Sequence, residues 1–338
     1  MNSRRSAFGW GCLDWPGKVG SRWALAAAAG LAGPVALAQP VLPAGALEQF
    51  QKVVGNRIEA INILGGDYAA AGGVYAFRGG NLADLSISKL GGGGEVASLK
   101  PLGIGSLEWA PVLQGNVGLV SAQNQFPTGY LAGNQMNYDT LALAAGGGVA
   151  LYLTEHLSLS PTVSGIYGRV ENTFTPHNAN GELVKSVGSG TLVDWTMNTW
   201  SVVPALGLDY QWGWRRKTFE FSSRASFFHT ESFESSSGIL GVKGNSTTWE
   251  NKLDVDVPLG LKVFGRELHT GGFFSRTELF GDAATGLSTG YVYTANGRLV
   301  LDFLGKLWKV RWLGLGASYF WGQDMSGWSA GLDLQFKF

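Results

Sequence analysis

The residues of this chain that could break bonds are few and scattered. There are four histidines, His156, His177, His229 and His269, and a single cysteine, Cys12. No two histidines have the spacing of a helical metal pair, and none belongs to an HExxH pattern. One local arrangement has parts of a nucleophilic site. In His156-Leu157-Ser158 the imidazole and hydroxyl lie two residues apart, so on a strand they share a side. A base beside a hydroxyl is what ester cleavage requires. The simpler reading of each histidine is a solvated or interfacial side chain. His156 falls in a tight turn, His177 in a long polar segment, and His229 and His269 near strand ends. The expectation is a protein that is not an enzyme, with no catalytic residue, cofactor or metal ligand.

The elements that would position such residues follow from composition and pattern. The chain has 338 residues, with 25 basic against 25 acidic. Charged residues make up 15%, against about 25% in ordinary soluble domains. Glycine supplies 51 positions and tryptophan 13. So many aromatics with so few charges exclude a disordered chain. A neutral balance argues against nucleic acid as a partner.

The first 38 residues read as a secretory signal peptide. Arg4, Arg5, Lys18 and Arg22 precede the apolar run from Trp23 to Ala38, which ends in Ala36-Leu37-Ala38 ahead of Gln39. A basic leader, an apolar run and a small-x-small site are the parts of such a peptide. Gly33-Pro34 interrupts the run, which makes a permanent anchor the poorer reading. Cleavage would remove four basic residues and Asp14, leaving 21 bases and 24 acids, a net charge of −3. It would also remove Cys12, so the mature chain could form neither a disulfide nor a cysteine metal site.

One helical pattern follows. Leu47, Phe50, Val54, Ile58 and Ile61 recur at spacings of three and four, with Glu48, Gln51, Lys52, Asn56 and Glu59 largely on the other side. This predicts an amphipathic helix over 45–62, broken at Gly65-Gly66. From there the period is two. Twelve strands are expected, at 68–78, 82–91, 106–120, 140–153, 157–170, 196–212, 217–230, 246–257, 269–281, 288–304, 308–320 and 327–338. A change of phase near Trp312 suggests a bulge. Many of these strands exceed the usual length of about five or six residues. Short connections such as 154–156, 213–216 and 305–307 alternate with the long polar segments 121–139, 171–195 and 231–245, while 258–268 is intermediate.

Long strands joined by alternately short and long connections predict an all-β fold, a transmembrane antiparallel up-and-down β-barrel. Aromatics near strand ends (Trp200, Trp212, Tyr291, Phe303, Tyr319, Trp328, Phe338) fit two interfacial girdles. With apolar faces toward lipid, the lumen receives Glu108, Asp209, Glu220, Glu250, Asp254, Asp256, Glu278, Asp302 and Asp333. It also receives Arg224, Lys252, Arg276, Arg298 and Lys337. Nine acids against five bases make either a ladder of cross-strand pairs or an ion-lined pore. Ala144, Gly146 and Gly148 on one inner face leave room for the helix, whose stripe would also let it rest on the inner leaflet as an interfacial segment.

The last strand ends Leu334-Gln335-Phe336-Lys337-Phe338. This resembles the assembly signal of bacterial outer-membrane proteins, with Leu334, Phe336 and Phe338 as its apolar members. The resemblance implies outer-membrane lipid, the secretion apparatus and the barrel assembly machinery as partners. A short helix before about twelve strands also resembles autotransporter translocators, in which a helix occupies the pore. With about eight residues between Gln39 and the helix, the layout is similar to the solitary autotransporter-like barrel family, which carries no passenger. The expected organisation is a signal peptide over 1–38, a linker and helix over 39–65, and the barrel over 66–338. The implied function is that of a non-enzymatic outer-membrane barrel with a helix in its lumen. The alternatives are a passive channel for small solutes or ions and, more remotely, a barrel lipid hydrolase. If the terminal strand is recognised during assembly, Phe338→Asp should lower insertion by more than the roughly 2–4 kcal/mol that a charge costs on a lipid face. The heat-modifiable fraction in outer-membrane preparations measures this.

Overall fold

The computed structural model describes residues 46–66, 73–79, 84–95, 100–101, 107–125, 132–238, 240–307 and 310–336. The proposed signal peptide and Phe338 lie outside the described residues, as do the side chains of Asp333, Leu334, Phe336 and Lys337. Helix α1 (Ala46–Gly66) comes first. Strands β1 (Gly73–Gly79), β2 (Asp84–Glu95), β3 (Lys100–Pro101), β4 (Glu108–Gln125), β5 (Gln135–Tyr152) and β6 (Leu157–Thr175) follow. Then come α2 (Ala179–Gly188), β7 (Thr196–Trp214), β8 (Lys217–Ser235), β9 (Lys243–Val263) and β10 (Arg266–Gly281). The chain continues through α3 (Asp282–Leu287), β11 (Tyr291–Leu307), β12 (Val310–Gly322) and β13 (Met325–Phe336).

The strands form one antiparallel ring. Each pairs with its neighbours in chain order, β1 pairs with β13, and β2 pairs with β4 over Asp84↔Gln123 to Glu95↔Val112. The two-residue β3 hangs on β4 and is not a stave. Among the described residues twelve strands therefore close the barrel, as the alternation predicted. Closure gives edge backbone groups partners, which a wall in hydrocarbon requires.

Side-chain parity is that of a membrane barrel. Leu119, Val163, Val202, Leu206, Phe221, Leu253, Leu299, Leu315 and Leu332 are exposed on the outer wall, while Thr199, Ser201, Ser226, Ser246 and Ser275 are buried inside. A soluble barrel would show the reverse. Stacked outward aromatics mark the interfaces: Tyr210, Trp212 and Phe219 near one end, and Tyr293, Trp321 and Tyr319 toward the other.

Three boundaries differ from the sequence reading. The 258–268 connection is a two-residue turn at 264–265, because β9 and β10 stay paired far past the apolar stretch. The long segments also shorten, since polar residues continue the strands; β8 runs to Ser235. The glycines Gly91 to Gly94 are the second half of β2, paired with β4 from Asn116 to Leu113. The anticipated bulge is present, with a register shift between Val310 and Trp312.

Short turns at 153–156, 215–216 and 264–265 share one end, the inner end, with the last residue of β11 and the first of β12. The connections bearing α2 and α3 share the other, outer end. The inner turn Phe264-Gly265 has positive φ at both residues, 53° and 74°. That is a primed hairpin turn, which favours Asn-Gly because a bulky residue is strained there. Phe264→Asn should stabilise the barrel by about 1 kcal/mol, read as a higher midpoint in urea or in heat-modifiable migration.

Candidate functional site

The lumen is divided between a helix seat in its outer half and a lattice of charges in its inner half. Val54, Ile58 and Ile61 of α1 are buried. Their cluster includes Leu85, Ile87, Val120, Tyr138, Val170 and Phe174 from the wall, and Val193, Trp195, Leu240, Val242 and Leu287 from the outer connections. The apolar stripe thus meets both wall and outer connections. The helix lies in the lumen and not on a leaflet surface.

The C-terminal end of α1 is held at mid-depth. The Asn116 side-chain amide donates to the Gly65 carbonyl at 2.5 Å, and Lys89 Nζ donates to the Leu64 carbonyl at 3.3 Å. Both satisfy carbonyls that have no partner within the helix, and the lysine charge suits the negative end of the helix dipole. Asn62 Nδ2 donates to Thr199 Oγ1 at 3.0 Å, and Thr199 Oγ1 donates to the Gly168 carbonyl. The approach is close because the wall carries Gly118 here; a Cβ on it would stand 2.3 Å from the Gly65 carbonyl oxygen. The helix therefore runs through Gly65-Gly66, and those glycines serve contact as well as termination.

The other flank of α1 meets α3. A Cβ on Gly286 would lie 2.2 Å from the Asn56 carbonyl oxygen. Asp282 Oδ2 accepts from the Asn245 backbone N–H at 2.8 Å, and Ser246 Oγ accepts from the Ala283 N–H at 3.0 Å. Glu59 is fully buried beside this contact. Burial holds its carboxyl up at about 7; Thr230 and Ser246 hydroxyls offset this in part, and Asp282 adds to it.

In the inner half, Arg298 reaches from β11 across β10 to β9, where its guanidinium pairs with both Asp254 oxygens at 2.6 and 2.8 Å. Gly271 lies between them, and a Cβ there would stand 3.4 Å from the guanidinium. Arg224 stands opposite Glu250, Lys252 opposite Ser222, and Glu220 opposite Asp254, all on the inner face. Arg224 also donates to Thr162 and Ser226. Asp209 shares this face, and Asp302 lies opposite Trp312. Glu108 has the inward phase but is exposed at the inner mouth, and Asp333 pairs with Gly314 in the inward register.

Two expected lumen charges lie outside. Arg276 and Glu278 alternate with buried Ser275 and Leu279, and stand opposite Asn251 and Trp249 of the outer wall. Strand β10 has adjacent apolar residues on both faces, Phe273-Phe274 and Leu279-Phe280, so its apolar pattern did not fix the phase. Register with β9 does. Arg276 donates to the Tyr293 hydroxyl at 3.2 Å, lies over the Tyr291 and Tyr293 rings, and pairs with Glu278 at 2.5 Å. The correction removes one acid and one base, so the lumen keeps its excess of acid.

The histidines are dispersed. His156 is exposed at an inner turn, near the Tyr210 ring. The His177 N–H donates to Asn134 in an outer connection. His229 faces outward between Asn245 and Glu231. His269 Nδ1 pairs with Asp256 Oδ2 at 2.7 Å in the lumen, a partnership that their separation in sequence concealed. Among the described residues, no group of three or more potential metal ligands occurs.

The family described as "Solitary outer membrane autotransporter beta-barrel domain" matches residues 102–333. The β domain of the Bordetella autotransporter BrkA is similar in fold, with a TM-score of 0.50 at 15% identity over 78% of this chain and 96% of that one. The transport unit of the autotransporter AIDA-I from Escherichia coli gives 0.52 at 9% identity over 85% and 99%. No curated protein sequence matches. The charge lattice makes a specific demand. Arg298→Ala leaves Asp254 without its guanidinium and should cost about 2–3 kcal/mol. The double variant with Asp254→Ala should recover much of that loss in urea unfolding.

Proposed function

The chain belongs to the solitary outer membrane autotransporter beta-barrel domain family, and from that premise we propose that it works as a non-enzymatic outer-membrane barrel plugged by its own helix. It carries no passenger in this reading, and contact with the exterior falls to the outer connections around α2 and α3. The observation that carries the proposal is the built seat of α1. The wall supplies polar caps for the last carbonyls, glycine where the helix backbone comes closest, and an apolar cluster for Val54, Ile58 and Ile61. Export through a cleaved signal peptide, insertion by the barrel assembly machinery and a lipid environment complete the proposal.

A passive channel is the second reading, and the inner lumen favours it. Its charged residues would line an aqueous path if α1 left its seat. Ester hydrolysis is the remote third reading, with little to support it. His156 and Ser158 flank an exposed inner turn, and the pairing of His269 with Asp256 has no hydroxyl hydrogen-bonded to Nε2.

Planar-bilayer recordings separate the first two readings. The native chain should conduct weakly, and deletion of residues 46–66 should raise conductance severalfold. The opened pore should prefer cations, more so at low salt, because the lumen has more acids than bases. High conductance of the native chain, unchanged by the deletion, would establish the channel and discard the plug.

A further inference from the structure

Helix α1 carries a carboxylate into a closed pocket. Glu59 has no exposed surface, and neither of its oxygens accepts a hydrogen bond of normal geometry. A methyl carbon placed on Gly244 would lie 3.2 Å from Glu59 Oε2 and 3.5 Å from Asp282 Oδ2, so the two carboxylates converge on one spot. Asp282, from α3, is already engaged by the Asn245 N–H, and the Asn56 amide, turned to present its nitrogen, donates to Oδ1 at 3.1 Å. The wall offers Thr230 from β8 and Ser246 from β9. The imidazole nearest in effect to Glu59 is that of His229, which faces the outer wall and is shared with Glu231 and Asn245. Lys243 is turned to Glu231, and Arg57 of α1 to the Asn124 side chain.

A buried carboxylate with only two hydroxyls near it and no cation turned to it, facing a second carboxylate, sits comfortably only with a proton on it. We propose that Glu59 and Asp282 form a proton-operated latch between α1 and α3: a protonated Glu59 keeps the helix seated, and loss of that proton loosens its outer end and opens the pore. This rests on the plug reading above and adds its regulation.

The direction follows from the carboxyl being held up, from an ordinary 4.5 to about 7. With the helix displaced and Glu59 hydrated, the group returns to its ordinary value. The proton's support for the seated state is therefore complete below about 4.5, declines as pH rises, and is gone by about 7. Across that window the seating constant should fall on the order of a hundredfold.

The test is planar-bilayer recording at pH 4.5 and 7.5 of the native chain, Glu59→Gln, Asp282→Asn and the chain lacking 46–66, with heat-modifiable migration confirming that each barrel has folded. The native open probability should rise on the order of a hundredfold from the lower to the higher pH. Glu59→Gln should stay low at both. Asp282→Asn removes a like charge, so the seated Glu59 carboxyl falls toward its ordinary value, and the rise should be smaller than the native one and complete at lower pH. The deletion should be open at both. A native profile flat in pH beside an open deletion overturns the latch alone. A Glu59→Gln profile that follows the native one also overturns it and assigns the titration to another group. A deletion no more open than the native chain overturns the plug reading itself.

Discussion

Everything inside this barrel depends on the pairing of β2 with β4. Strand β1 is only seven residues long and reaches part of the way down β13. The ring is closed by β2, which continues through its glycines along twelve register positions of β4. With the ring closed, strand parity fixes which side chains meet lipid and which meet the lumen. The same seam supplies Lys89 from β2 and Asn116 from β4, the two side chains that cap the end of α1. Closure of the wall and seating of the helix are thus joined at one place.

Magnitudes decide what the helix can do there. Burying Val54, Ile58 and Ile61 is worth roughly 1.5–3 kcal/mol each before ordering costs. Ionising Glu59 in place, with its carboxyl held up from 4.5 to about 7, costs about 3 kcal/mol. Burial of the apolar stripe therefore outweighs the charge, and ionised Glu59 weakens the seat without abolishing it. Asn62, Asn116 and Lys89 make hydrogen bonds that do not change with that proton. The expected behaviour is a graded change in occupancy, with the barrel unaffected.

The strand count, the bulge near Trp312 and most of the lumen face were legible because alternation is strong where one face meets lipid. Where both faces hold aromatics, as at Phe273-Phe274 and Leu279-Phe280 of β10, period two has no preferred phase. Arg276 and Glu278 were misplaced for that reason. The seat was less legible. Lys89, Asn116 and Thr199 are unremarkable polar residues on separate strands, and only closure brings them under one helix end. Glu59 reads as one more member of the polar side of the helix. Its burial depends on α3, a six-residue helix in a connection that alternation treats as loop. One trace was visible: the strand-rich sequence offers α1 no other helix pattern of comparable length to pack against, so its apolar stripe needs cover from the barrel or from the inner leaflet.

The two halves of the lumen follow from this arrangement. Where α1 lies, the wall presents Val120, Tyr138, Val170, Phe174 and small polar residues, and the charges that enter cap the helix or sit against it. Below Gly65 no helix covers the wall among the described residues, and Arg298, Asp254, Arg224, Glu220 and Lys252 occupy the inner face. Ionised side chains at that depth need either partners or water. The bidentate pairing of Arg298 with Asp254 across Gly271 supplies the first. The like charges of Glu220 and Asp254, directly opposite each other, call for the second. A charged inner chamber beneath an apolar helix seat is therefore what the described residues build, and under the proposed plug its control falls at the outer end, where the helix sits.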